Sequence, residues 1–236
     1  YGKSLSSVTE IRLREGNREA VDLQVDLNLS GIGLIAEGPG PIKNRSSWLL
    51  SYRNSFNRFL FQVIDNQSPV PEYRDLLLKL VAEPGSGHKL SILHLAAGDY
   101  FNVSFTEAVY DAVKFTGDMK NRKHISGINW LYLWGKRGFS ETTISHAFQR
   151  NQVNWMYTGT ERPFRHRNIS EHVLRLRNRN RFFFNRNHQL DFGIEMTAAN
   201  RLADESYFES IDLLGNRMPT LDIDNRFKRQ HIALFS

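Results

Sequence analysis

Hydrophobic and polar residues alternate one by one in segment after segment of this chain. The clearest run lies between positions 189 and 198. Its apolar members are Leu190, Phe192, Ile194, Met196 and Ala198. A side-chain period of two is typical of an extended strand with one apolar and one polar face. A run of about 9 to 11 such residues also matches a tilted strand that crosses a bilayer.

Further segments repeat this alternation, and residues that favour turns separate them. Their apolar positions fall within 5–13, 21–29, 32–36, 48–56, 76–82, 90–96, 128–134, 142–148, 174–176 and 231–235. Glycine and proline are concentrated at 37–41 and 83–87, where they interrupt the hydrogen-bonded ladder of a β-sheet. The pattern predicts an all-β fold of about ten strands joined as an antiparallel meander.

The predicted connections are of two kinds, which alternate along the chain. Short turns are expected near 37–41, 83–87, 135–138 and 178–187, and long polar stretches at 99–123, 151–168 and 200–225. Outer-membrane barrels have short periplasmic turns and longer extracellular loops. This asymmetry favours a partial transmembrane antiparallel β-barrel. The alternative is a soluble or cell-surface β-sandwich binding module, whose strands alternate toward an interior core.

Composition agrees with strands better than with membrane helices. The 236 residues are 24% charged, and the mean hydropathy is −0.46, as in an ordinary soluble domain. No run approaches the roughly 18 apolar residues that a membrane helix needs. A barrel strand exposes only every second residue to lipid, so its mean hydropathy stays low. Cysteine is absent, which excludes disulfides, thiolate catalysis and zinc-thiolate sites.

Aromatic residues lie mostly near the ends of the predicted strands. They are Trp48, Tyr52, Trp130, Tyr132, Trp134, Trp155 and Tyr157. Such rings would sit at the headgroup level of a membrane. The competing interpretation is that they form the core of a soluble β protein.

One predicted hairpin is rich in arginine. Its basic residues are Arg175, Arg177, Arg179, Arg181 and Arg186, with phenylalanine at 182–184. Arginines interleaved with rings could contact nucleic acid. Arg175 and Arg177 instead alternate with leucine, which predicts an inner face opposite Asp191 and Glu195. The other arginines are expected at a solvated turn, and no nucleic-acid partner is expected.

Motifs for catalysis, metals or cofactors are not found in the sequence. The stretch 222–225 is expected to be a polar loop, because it lacks the glycine and glutamate of a calcium-binding loop. His94 and His146 fall on apolar strand faces, and no His-Glu-x-x-His spacing occurs. We expect neither an enzyme nor a bound cofactor or metal.

The first 55 residues carry a specific resemblance. Tyr1-Gly2 followed by 5–17 resembles the closing strand of the plug domain in TonB-dependent outer-membrane receptors. The stretches 30–39 and 47–53 resemble the first barrel strands of such receptors in Bacteroidetes-like bacteria. The chain has Ser6-Ser7-Val8 where many members have Gly-Gly-Val. The resemblance assigns the plug exit to Tyr1, Gly2, Val8, Ile11 and Gly16.

The resemblance implies two domains, both incomplete. Residues 1–17 would be the C-terminal end of the plug, and 18–236 the N-terminal portion of a barrel whose family form has 22 strands. It implies active uptake of a scarce nutrient (siderophore, vitamin, glycan or peptide) at the outer membrane of a Gram-negative bacterium. The implied partners are outer-membrane lipid and lipopolysaccharide, the TonB energy-coupling complex, and a small-molecule or oligomeric nutrient ligand.

Five residues of the long polar stretches are candidate ligand contacts. They are Tyr100, Trp155, Tyr157, Arg162 and Tyr207. Position alone selects them, since loops on a rigid scaffold commonly carry binding function. A passive porin-like channel remains a further alternative. It would have no plug, so the plug-like residues at 1–17 count against it.

Overall fold

The computed structural model describes residues 11–29, 31–63, 69–110, 114–160, 162–185, 188–211 and 216–235. Its elements, in chain order, are β1 (Asp22–Asn28), β2 (Gly31–Pro39), β3 (Ser46–Ser55), α1 (Asn57–Val63), β4 (Glu72–Ala82), β5 (His88–Val103), α2 (Phe105–Tyr110), β6 (Phe115–Leu133), β7 (Gly138–Tyr157), β8 (Pro163–Phe183), β9 (Gln189–Tyr207), β10 (Ser210–Ile211), β11 (Arg217–Met218) and β12 (Leu221–Phe235).

Ten of these strands form one antiparallel sheet. Each strand from β1 to β9 pairs with the next, and β12 pairs with β9. The small β10–β11 hairpin lies in the connection between them. The predicted all-β meander of about ten strands is therefore confirmed. The described strands form a single large sheet that does not close, and they do not form the two facing sheets of a sandwich.

The two sides of the sheet differ in polarity. One row across five neighbouring strands contains Ile92, Ile128, Ile144, Leu176 and Met196, and we call that side the outward face. The adjacent row contains Leu93, Gly127, Ser145, Arg175 and Thr197, and we call its side the inner face. Ile144 of the outward face is 49% exposed although it is apolar. The apolar residues of β9 predicted from alternation lie on the outward face, and the polar residues between them lie on the inner face.

The predicted aromatic residues occupy both faces. Trp48, Trp130 and Tyr132 lie on the outward face toward the short turns. Trp155 and Tyr157 lie at the opposite end of β7, on the inner face. An outward aromatic belt therefore accounts for only part of the predicted set.

The central strands are at least about twice as long as the segments that the sequence predicts. β6, β7, β8 and β9 have 19, 20, 21 and 19 residues. Most of the stretches 99–123, 151–168 and 200–225 are strand, so the prediction of long loops there was wrong. Asp222 and Asp224 likewise lie in β12 rather than in a loop. Backbone pairing continues through these extensions although the apolar pattern of the strand centres does not: at 200–207 both faces carry polar side chains, and at 153–157 the apolar residues lie on the inner face.

Connections still differ between the two ends of the sheet. Turns join the strands at 40–45, 83–87, 134–137 and 184–188 at one end, which we call the turn end. The other end, which we call the far end, has connections at 29–30, 56–71, 104–114, 158–162 and 208–220, of which three are longer than any at the turn end. Ser104 and Glu107 cap α2 there through reciprocal backbone hydrogen bonds of 2.6 and 3.3 Å. Neither described helix has the length and apolar character needed to span a membrane.

The segment 11–21 lies against the inner face near the turn end. It has neither helix nor strand, so the strand expected over 5–13 is not formed in its described part. A Cβ atom added to Gly16 would lie 2.0 Å from the Trp48 carbonyl oxygen. Only glycine allows so close an approach to β3. Leu49 and Val81 of the same region are buried.

Candidate ligand-binding surface

An ion cluster lies at the far end of the inner face, where β8 and β9 pair. The Glu205 carboxylate accepts hydrogen bonds of 2.6 Å from Arg165 and 2.9 Å from Arg167. Arg165 also donates to the Tyr207 hydroxyl at 2.6 Å. The register aligns Arg167 with Glu205 and Arg165 with Tyr207, so strand pairing itself builds the cluster.

Hydrogen bonds from neighbouring side chains stabilise the ionised form of the Glu205 carboxyl. Burial raises the pKa of its carboxyl, but hydrogen bonds from Arg165, Tyr207 and Arg167 outweigh burial and lower the pKa from 4.5 to about 2. Only 9% of the Glu205 side chain is exposed. The carboxylate is therefore ionised at neutral pH and fixes both guanidinium groups in position.

Aromatic rings extend this cluster along the inner face. Trp155 is the cross-strand neighbour of Arg165 and meets Phe101 edge to face, with ring centroids 6.3 Å apart. Phe164 stacks on Phe115 at 4.8 Å and meets Tyr157 edge to face at 5.3 Å. Rings beside fixed guanidinium groups offer a surface for a flat or aromatic ligand with negative charge. We call these residues, with Arg165, Glu205 and Tyr207, the inner-face cluster.

Four arginines follow the inner face of β8 toward the turn end. They are Arg175, Arg177, Arg179 and Arg181, which we call the arginine column. Asp191 binds Arg181 at 2.6 Å and lies 3.5 Å from Arg179. Glu195 lies 3.9 Å from Arg175 and is the cross-strand neighbour of Arg177. Glu141 of β7 is the cross-strand neighbour of Arg179, so four cations face three acids on this stretch.

The column confirms part of the sequence interpretation and corrects another part. Arg175 and Arg177 lie on the inner face beside Glu195, as alternation predicts, but Asp191 lies opposite Arg181 instead. Arg179 and Arg181 were expected at a solvated turn, but β8 continues through both. Alternation failed to place them because the residues that precede each of them, Asn178 and Asn180, are polar. Arg186 lies outside the described residues.

Three of the five predicted ligand contacts lie together. Trp155, Tyr157 and Tyr207 belong to the inner-face cluster. Tyr100 lies on the outward face, where its ring packs against Lys120, and the structure does not bring it to the others. Arg162 lies in the β7–β8 connection, 3.8 Å from Glu209.

The sequence did not predict a role for two central residues of the cluster. Arg165 and Glu205 are 40 positions apart, in stretches interpreted as loops. The usable signal was the spacing of Arg165, Arg167 and Ile169, which continues the period of two into β8. Strand pairing then decides which acid faces them, and no local pattern specifies that pairing.

The segment 11–21 is attached to the inner face by ion pairs. Arg14 binds Glu37, and Lys89 binds Glu15. Arg18 lies 2.7 Å from both Glu15 and Glu83. Burial raises the pKa of Glu15, but the hydrogen bonds from Lys89 and Arg18 hold the pKa below its usual range.

Of the predicted plug-exit residues, Ile11 and Gly16 are described by the structure. Gly16 is buried against β3, and Ile11 is 80% exposed. Tyr1, Gly2 and Val8 lie outside the described residues. Within those residues, His, Asp and Glu side chains form no group of three or more that could hold a metal.

The meander, with one apolar and one polar face, has the fold of β-barrel receptors. Two crystal structures resemble it, both of proteins from Acinetobacter baumannii. The siderophore receptor PiuA matches 85% of this chain with a TM-score of 0.52 and 9% identity. BauA, the ferric preacinetobactin receptor, matches 83% with a TM-score of 0.50 and 12% identity. The chain spans about a third of either protein, 35% and 32%.

Sequence comparisons add no further relative. No protein-family model matches this chain. A search of the curated proteins also finds no match. The likeness to the two receptors therefore establishes the fold of the sheet, and function has to be argued from its surfaces.

Proposed function

We propose that this chain is part of a TonB-dependent outer-membrane receptor that takes up a scarce nutrient. In this proposal residues 1–17 end the plug domain, and residues 18–236 form barrel strands. The turn end faces the periplasm, and the far end faces the outside of the cell. Energy for uptake comes from the TonB complex through parts of the protein that precede this chain.

The polarity of the two faces is the observation that carries this proposal. A broad apolar surface needs a lipid or protein neighbour, since soluble proteins rarely expose one. The inner face is polar and already holds the segment 11–21 through ion pairs. Lipid on the outward side explains the apolar face, and a plug domain on the inner side explains the polar face.

The ligand surface in this proposal is the inner-face cluster, with Arg162 at its rim. Trp155, Tyr157 and Tyr207 supply rings, and Arg165 supplies a positive charge held in place by Glu205. The arginine column continues from this surface toward the turn end. A negatively charged nutrient fits such a wall best, because opposite charge in a confined cleft raises the local ligand concentration. Tyr100 is left out of this surface.

Membrane location and orientation can be tested with single cysteines, because the natural chain has none. Thr160→Cys places a thiol at the far end, and Lys136→Cys places one in an exposed turn. On intact bacteria, a membrane-impermeant maleimide should label the first variant only. Both should be labelled after the outer membrane is opened. Recovery of folded protein from the detergent-free soluble fraction would contradict the proposal.

Uptake can be tested with ferric preacinetobactin carrying radioactive iron, in cells that lack other receptors for it. Trp155→Ala and Arg165→Gln should each lower uptake at least tenfold, because both side chains belong to the inner-face cluster. Tyr100→Ala is the matched control on the outward face and should leave uptake unchanged. Uptake equal to that of cells without the protein would exclude this siderophore as the nutrient.

A further inference from the structure

We propose that His146 and His172, on the outward face, bind a divalent transition metal ion, with Cu²⁺ bound most tightly. The inference goes beyond the proposed function and needs only the pairing of β7 with β8. The sequence led us to expect no metal, because no His-Glu-x-x-His spacing occurs. These two histidines are 26 positions apart, and strand register rather than local spacing brings them together.

The register of β7 and β8 makes the two histidines diagonal neighbours on one face. His146 is the cross-strand neighbour of Leu174, and His172 is the cross-strand neighbour of Phe148. Side chains in diagonal positions of a sheet can reach each other when they are long or aromatic. His146 Nε2 lies 3.2 Å from His172 Nδ1, with ring centroids 5.4 Å apart. One ring can donate a hydrogen bond to the other at this distance.

The same two nitrogens can bind one metal ion. Zn²⁺ lies about 2.0–2.1 Å from a histidine nitrogen, so nitrogens 3.2 Å apart subtend an angle of about 100° at the metal. This angle lies between the square-planar and tetrahedral values that transition metals adopt. The ring centroids need to approach only from 5.4 to about 5.0 Å for both lone pairs to point at the ion. Both side chains are exposed, so each ring can tilt. Imidazole sites bind Cu²⁺ more tightly than Ni²⁺ or Zn²⁺.

The next strand supplies a hydrogen-bond acceptor for the second nitrogen of His172. When Nδ1 binds the metal, the ring proton lies on Nε2. Asn200 of β9 is the cross-strand neighbour of His172, and its Oδ1 atom is buried and accepts no hydrogen bond within the described part of the chain. Metal-bound histidines commonly donate their other N–H to a carbonyl oxygen. Asn200 is therefore the positioning residue for His172. Lys228 lies beyond Asn200, two strands from His172 and about 10 Å away between Cα atoms.

The pair lies where the outward face changes from apolar to polar. Ile144 and Leu174 flank it toward the turn end, and Arg150 and Ser170 form the next row toward the far end. Water can therefore reach the ion and occupy the positions that the two histidines leave open. The Arg150 Nε atom donates to Asn168 Oδ1 at 3.0 Å, one row farther out. This hydrogen bond directs the guanidinium away from the metal site.

A second pair of histidines on the same face provides a matched control. The ring centroids of His94 and His124 are 6.2 Å apart, and His94 Nδ1 lies 2.8 Å from Ser126 Oγ. Phe148 lies between His124 and His172, with ring centroids 6.0 and 4.7 Å away. The Phe148 ring separates the two pairs, so a third imidazole does not join the site.

Cu²⁺ binding should be measured by titration of the full chain in detergent micelles, without a polyhistidine tag. Cysteine is absent, so no thiolate competes for the ion. Electron spin echo spectra should show two bound imidazoles. His146→Asn and His172→Asn should each weaken binding about 100-fold, and Asn200→Ala about tenfold, because a direct ligand contributes more than an outer partner. The control His94→Asn/His124→Asn should bind Cu²⁺ as the natural protein does.

Zn²⁺ gives a second readout, because an ion that binds only the folded sheet stabilises it. Saturating Zn²⁺ should raise the urea midpoint of the natural protein and leave that of His146→Asn/His172→Asn unchanged. An equal rise in both proteins would overturn the site. Equal Cu²⁺ affinity in the variants of the two histidine pairs would also overturn it, as would a single-imidazole spectrum for the natural protein. Membrane location is tested separately by the labelling of Thr160→Cys.

Discussion

Glu205 should contribute measurably to the stability of the far end of the sheet. Its carboxylate is the acceptor for both Arg165 and Arg167, so Glu205→Gln leaves two guanidinium groups without a charged partner. A carboxyl whose pKa falls from 4.5 to about 2 on folding contributes about 3 kcal/mol at neutral pH. Partial exposure of the two arginines, 25% and 30%, reduces this to about 2 kcal/mol.

The same carboxyl predicts how stability depends on pH. Since the folded pKa lies below the unfolded one, the contribution is complete above pH 4.5 and is lost as pH falls through about 2. The natural protein should therefore lose stability between about pH 5 and 2. Glu205→Gln should lose about 2 kcal/mol less over that interval, because it has no carboxyl to protonate at this position.

Urea unfolding in detergent micelles can measure both effects through the fluorescence of Trp155, which neighbours Arg165 across the strands. Replacing Trp48, Trp130 and Trp134 with phenylalanine isolates that signal. Asp204→Asn is the control, because it removes a charge from the adjacent, 64% exposed side chain of the outward face. A Glu205→Gln variant as stable as this control at pH 7 would refute the argument.

Three further predictions concern the inner face. Gly16→Ala should speed trypsin cleavage at Arg14 and Arg18 at least tenfold, because its methyl group would lie 2.0 Å from the Trp48 carbonyl oxygen and displace the segment 11–21. Gly85→Ala is the control: its added Cβ lies 3.6 Å from His88, so it should not change the cleavage rate. The pKa of Glu15 is lowered in the fold, so its ion pairs persist above pH 4.5 and are lost as pH falls through that lowered pKa. The protection factors of amides 11–21, which correct for slower chemical exchange at low pH, should fall on acidification, and an identical pH profile in Glu15→Gln would contradict this. Asp191→Asn should lower the free energy of unfolding by about 1 kcal/mol, because Arg181 and Arg179 lose the acid that they share. The control Asp222→Asn, at an exposed position, should change it by under about 0.5 kcal/mol. Equal losses for the two variants in urea unfolding would show that Asp191 does not stabilise the fold.

The sequence predicts the central part of each strand well, because the two faces meet different surroundings there. The apolar residues from Leu190 to Ala198 all fall on one face of β9, as expected. The strand ends could not be predicted in the same way. At 200–207 both faces carry polar residues, so the strand continues without alternation. At 153–157 the apolar residues Val153, Trp155 and Tyr157 lie on the inner face, so the alternation changes phase within one strand and no longer reveals its continuation.

The candidate surface was only partly predictable for a different reason. Trp155, Tyr157 and Tyr207 could be selected as aromatic residues of far-end segments. Their relation to Arg165 and Glu205 depends on the register between β8 and β9, and Tyr100 is separated from them because it lies on the outward face of β5. A difference of one residue in register exchanges the two faces of a strand. Side-chain type alone cannot supply that information.

An irregularity in the ladder completes the inner-face cluster. The register between β7 and β8 shifts after Trp155, so that Met156 pairs with Pro163 while Trp155 pairs with Arg165. Phe164 is the extra residue of this β-bulge. Strict alternation from Arg165 would turn Phe164 to the outward face, yet its ring stacks on Phe115 and meets Tyr157. Bulges commonly redirect a side chain beside a functional site, and here the bulge adds a sixth ring to a surface that regular pairing would leave with five.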